Sequence, residues 1–108
     1  MRRNLISALC LIGVLLPGAA AAQSNPSFNC VRASSPDEVL ICQREDLGRL
    51  DRRLSSTYFN LRNSLGGRAR ARLEADQSRW LAERQGCGRD YGCVLGLYRQ
   101  RLAELANY

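Results

Sequence analysis

Six large side chains, Leu47, Leu50, Leu54, Tyr58, Leu61 and Leu65, recur at steps of 3, 4, 4, 3 and 4. A helix with about 3.6 residues per turn brings such positions onto one face, so the segment predicts a long amphipathic helix with that face turned to a core. Arg49, Arg52, Arg53, Arg62 and Asn63 fall mostly elsewhere on its circumference. Gly66-Gly67 follows at once, and glycine readily takes the left-handed conformation used at helix C-termini. A hairpin reversal is therefore expected there. The return helix, from about Arg68 to Gln85, carries Leu73, Gln77, Trp80, Leu81 and Arg84 on adjoining faces.

The flanking segments extend the same reading. Ser35 suits a helix N-cap and Pro36 the first helical position, and Glu38 is placed to complete a capping box. Asp37 and Glu38 also suit the positive end of the helix dipole. This short helix is expected to reach about Cys42 and to bend near Gln43–Glu45. Beyond Gly86, Cys87 and Gly88, a last helix from about Tyr91 to Ala106 carries Val94, Leu95, Leu97, Tyr98, Leu102 and Leu105. No segment alternates β-branched and polar residues, so no sheet is expected. The predicted fold is all-α: a long helical hairpin, a short N-terminal helix and a third, C-terminal helix near the open end of the hairpin.

The N-terminal stretch has a different character. Arg2 and Arg3, an apolar run from Leu5 to Leu16, and then Pro17, Gly18 and alanines have the layout of a secretory signal. Ala20 and Ala22 fit the small-residue cleavage rule, which puts the mature N-terminus at Gln23. The run is shorter than the roughly 20 apolar residues that span a bilayer, so no stable membrane insertion is expected after cleavage. Cys10 lies inside the run, whereas a lipid-attachment cysteine would close it. The division is then 1–22 signal peptide, 23–34 an extended arm, and 35–108 the helical domain, in a periplasmic or secreted protein.

Cleavage leaves 86 of the 108 residues and four of the five cysteines, Cys30, Cys42, Cys87 and Cys93. An even number in a short exported chain reads as a disulfide framework, which helps a chain too small for a large core. Pairing Cys30 with Cys42 and Cys87 with Cys93 is favoured, because each pair joins segments that a local turn brings close. A cross-hairpin pairing of Cys42 with Cys87 or Cys93 is the rival.

All 16 basic residues are arginine, and losing two with the signal against 10 retained acids leaves a net charge of +4. Mixed charge on a solvated helical surface explains this balance, and no nucleic-acid partner is expected. The chain has no histidine, and so lacks the usual general base and metal ligand. Its serines have no triad partner, and the pairs Glu45/Asp46 and Glu74/Asp76 read as solvated or salt-bridged acids. Neither an enzyme, a metal nor a cofactor is expected, and the sequence fixes no oligomeric state. Trp80 is expected in the core, with Gln77 and Arg84 one turn to either side. Reflecting Asp51 through the hairpin turn places it near Arg84 and Arg79, which predicts a structural salt bridge. Tyr58, Tyr98 and Arg101 are grouped with these structural residues.

Phe28-Asn29-Cys30, Glu38, Ile41-Cys42, Leu50-Asp51, Leu54, Tyr58, Gln77, Trp80-Leu81, Arg84, Cys87, Cys93, Tyr98 and Arg101 together resemble the lysozyme-inhibitor LprI-like family of secreted bacterial domains. The resemblance covers nearly all of the mature chain. It implies a compact helical domain outside the cytoplasm that acts by protein contact on a lysozyme-type cell-wall hydrolase. Animal lysozymes are themselves basic, so the net field gives no steering and binding one would rest on local patches. The expected contacts are the arm at Pro26 and Phe28 and the cysteine-flanked loop Gly88–Gly92, with Arg89, Asp90 and Tyr91. The competing reading is an accessory envelope protein whose arginines contact anionic glycan, lipid headgroups or another protein.

Overall fold

The computed structural model describes residues 24–108 together with Gly13. The expected signal peptide and the cleavage point at Gln23 lie outside the described residues. A 3-10 turn, Cys30–Arg32, precedes four helices: α1, Pro36–Gln43; α2, Glu45–Ser64; α3, Gly67–Gly86; and α4, Tyr91–Ala106. Among the described residues there is no strand.

Each boundary has a local cause. Ser35 is extended and Pro36 opens α1, where proline costs no helical hydrogen bond. The expected capping box does not form: Ser35 Oγ donates to Glu38 Oε1 at 2.6 Å, so the two side chains satisfy each other and leave the first-turn amides uncapped by them. Arg44 alone, at φ −122° and ψ 113°, separates α1 from α2. At the hairpin, Leu65 and Gly66 are extended and end α2, and the left-handed residue is Gly67, at φ +56° in the first position of α3. Glycine is thus required one residue later than expected, to redirect the chain rather than to close the helix. Gly86 stays helical. Gly88, at φ +57°, turns the chain, and Asp90 caps α4 by accepting from the Cys93 amide at 3.1 Å.

The core is Ile41, Leu47, Leu54, Leu73, Trp80, Val94, Tyr98 and Leu105. Each such side chain contributes roughly 1.5–3 kcal/mol on leaving water. Three of the eight come from the two ends and middle of α4, and Asn107 and Tyr108 beyond it reach Ala69 and Arg72 near the hairpin turn. Helix α4 therefore runs the length of the hairpin, whereas the sequence led to its being placed near the open end. It packs more extensively on α2 than α3 does, so α2 and α3 are held together largely through it. Trp80 Nε1 donates to Leu97 O at 3.0 Å, and its ring meets that of Tyr98 edge-on at 5.0 Å, which locks α4 onto α3.

Cys30 is bonded to Cys42 and Cys87 to Cys93, the local pairing. Both disulfides lie at the end where α2 begins and α3 stops.

Candidate functional site

One buried guanidinium ties this end together. Arg84 on α3 donates through Nε to Asp37 Oδ2 on α1 at 2.7 Å, and through Nη1 to Tyr98 Oη on α4 at 3.1 Å. Tyr98 Oη donates in turn to Asp51 Oδ1 on α2 at 2.7 Å, and Arg84 Nη1 lies 3.7 Å from that oxygen. Asp51 Oδ2 accepts from the amide and the hydroxyl of Ser27, both at 2.6 Å. All four helices and the arm thus meet on two carboxylates, one arginine and one tyrosine, each buried.

The electrostatics follow from burial and partners. Burial alone would raise the Asp37 pKa, but the neighbouring Ser35 hydroxyl and the bond and charge of Arg84 outweigh it and hold the carboxyl below its usual range. Burial opposes the Arg84 charge, and its contacts with Tyr98 and Asp37 overcome that penalty. Burial and the neighbouring Asp51 charge push the Tyr98 hydroxyl upward, so it remains a neutral donor. Asp51 does reach Arg84, as the reflection argument required. Arg79 does not join them, and pairs with Asp76 at 3.4 Å instead. Arg101 lies one turn beyond Tyr98, buried, donating to Gln77 Oε1 and Glu104 Oε2 at 3.0 Å each.

The arm is seated on this hub rather than loosely extended. Ser24 is buried, its Oγ donating to Ile41 O at 2.5 Å and its amide to Cys42 O at 2.8 Å. Arg52 Nη1 donates to Asn25 O. Pro26, expected as a contact, is buried, and Phe28 is half-buried against the core with the Arg84 guanidinium 5.8 Å from its ring centre. What projects is the next turn. Val31 is 90% exposed, held between Cys30 and Arg32 with its amide bonded to Asn29 Oδ1 at 3.0 Å. In the Gly88–Gly92 loop, Asp90 is occupied in capping α4, and Tyr91 Oη donates to Asp46 beneath the Arg44 guanidinium. Arg89 is exposed.

Between the arm, α2 and α3 lies an open groove of about 520 Å³. It exists because α4 fills the opposite side of the hairpin and leaves this one uncovered. The structure brings together here Phe28, Glu38, Asp51, Tyr58, Gln77, Trp80, Leu81 and Arg84, all singled out in the sequence. Phe59 on its rim is 51% exposed and Leu81 37%. Trp80 itself is 6% exposed and belongs to the core. Asp37, Ser24 and Ser27 were missed as supports of the site. Asp37 reads locally as a helix-dipole residue, and isolated serines in a polar arm carry no signal. Among the described residues no group of acidic or cysteine side chains is placed to hold a metal ion.

Fold and site define a class: a disulfide-stapled, all-helical domain organised round a buried arginine, with an arm seated at one end and a groove along the uncovered side of the hairpin. The chain belongs to the lysozyme inhibitor LprI family, whose match runs over residues 30–105. Lipoprotein LprI of Mycobacterium tuberculosis H37Rv and that of Mycobacterium bovis are each 36% identical to it over 83 residues. Those residues are 74% of this chain and 41% of each relative, so the chain spans about two fifths of their length. No solved structure matches it.

Proposed function

We propose that this protein is an exported inhibitor of lysozyme-type cell-wall hydrolases, acting by protein contact and without catalysis of its own. Family membership across residues 30–105, which takes in α1 to α3, all but the last residue of α4, and both disulfides, carries the reading. Two disulfides suit an oxidising compartment outside the cytoplasm, and the relatives are named as lipoproteins. Residues 1–22 are the export signal and residues 23–34 the arm, and no described helix is long and apolar enough to cross a membrane.

The contact surface is the disulfide-braced end of the molecule. Phe28, Val31 and Arg89 form its accessible part, and Pro26 supports it from inside. A surface fixed by two cross-links and a buried polar hub loses little freedom on binding, which favours affinity from a small area. Size-exclusion chromatography of the purified chain with animal, plant and phage-type lysozymes tests the reading. Co-elution with at least one of them is expected, and separate elution from every enzyme at micromolar concentration contradicts it.

A further inference from the structure

Ion pairing uses the arginines unevenly. Arg44, Arg62, Arg70, Arg79, Arg84 and Arg101 each have a carboxylate oxygen within 3.7 Å. Arg49 and Arg53 on α2 and Arg99 on α4 have none among the described residues, yet all three border one shallow depression of about 370 Å³. Leu50 and Leu95 form its apolar floor. Its one carboxylate, Asp46, is already engaged by Arg44 and by the Tyr91 hydroxyl. Arg49 and Arg53 stand at i, i+4, where like charges disfavour a helix. The fold gains nothing from gathering three cations here, and it spends no acid on neutralising them.

We propose that this α2–α4 face docks on the phosphate headgroups of an anionic lipid bilayer. Guanidinium forks match phosphate oxygens in charge and in geometry. All three arginines are exposed, whereas a site for one small ion draws its donors out of water; exposed cations spread round a concavity suit a planar array of anions. The leucine floor between them receives the apolar glycerol portion beside the phosphate. Steps of about 100° per residue put Arg53 on the opposite side of α2 from Ser55, which lines the groove. Docking in this way leaves the groove facing away from the lipid.

Co-sedimentation of the disulfide-intact protein with phosphatidylcholine vesicles, with and without phosphatidylglycerol, tests the proposal. Binding is expected only with phosphatidylglycerol present, and weakens as salt rises. Each arginine at an anionic surface is worth about fivefold in affinity. Arg49→Gln, Arg53→Gln and Arg99→Gln together therefore weaken binding on the order of a hundredfold. A control carrying Arg32→Gln, Arg68→Gln and Arg72→Gln loses the same charge from exposed, unpaired positions outside the depression and keeps most of its binding. Thermal melts of both variants confirm that each is folded. Equal losses in the two variants would mean diffuse charge and overturn the proposal, as would absence of sedimentation at low salt. Binding to soluble glycerol phosphate as tight as to vesicles would also overturn it, by placing a free anion in the depression instead of a membrane.

Discussion

At Arg84 two buried carboxylates and a tyrosine share one guanidinium, and such an arrangement is far more costly to break than it is stabilising to have. Arg84→Met leaves Asp37 and Asp51 without their cation, and the expected loss is about 3–5 kcal/mol, measured by denaturant unfolding. Trp80→Ala empties a large aromatic site and removes the bond to Leu97, with an expected cost of about 3–5 kcal/mol. An unchanged melting temperature would move Trp80 from the core to the surface. Asp37 also makes the hub sensitive to pH. Its carboxyl ionises at lower pH in the folded chain than in the unfolded one, so its contribution is complete above about pH 4 and disappears as the pH falls through the folded value. Acid unfolding below about pH 4 should therefore be less steep in Asp37→Asn than in the parent. The Asp51–Arg84 approach was legible because both residues sit on the hairpin, where reflection through the turn gives the register. The Asp37 bond was not, because α1 folds back across the end of α3 and lies outside that reflection.

Among the elements, the arm depends most on a single backbone position. A Cβ at Gly48 on α2 would lie 2.5 Å from Ser24 Cβ and closer still to Ser24 Oγ, so α2 and the arm meet only because Gly48 has no side chain. Gly48→Ala should displace Ser24 and expose the Ile41 and Cys42 carbonyls it satisfies. Hydrogen exchange would register this as faster exchange at the Ser24 and Ser27 amides with α3 and α4 unchanged; unaltered exchange at both would contradict the close approach. Cys30→Ser with Cys42→Ser releases the same arm by another route, at a cost of up to about 3 kcal/mol for a loop of this length. The extents of the helices were legible, since proline at 36, glycines at 66–67 and 88, and unbroken 3–4 spacing mark them directly. The arm's seating was not, because it rests on isolated serines and backbone groups bonded to α1 and α2 and on the lack of a side chain at Gly48, none of which has a sequence pattern.

At the scale of the whole molecule, the apolar positions of α4 showed that it packs on the hairpin without showing where along it. Its lengthwise course is fixed by Trp80–Leu97, Arg84–Tyr98 and Gln77–Arg101, three hydrogen bonds that join it to α3. That course fills one side of the hairpin and opens the groove on the other, so the groove became visible only in three dimensions. Export belongs to this scale too: intact mass of protein recovered from the periplasm or the medium should give an N-terminus at or near Gln23, and retained Met1 or acylated Cys10 would contradict it.

The inhibitor assignment is tested most directly by titrating the disulfide-intact protein into a peptidoglycan lysis assay with animal, plant and phage-type lysozymes. The expected result is a dose-dependent fall in the lysis rate of at least one enzyme at micromolar protein, lost when both disulfides are reduced. Undiminished lysis by all of them would contradict the assignment.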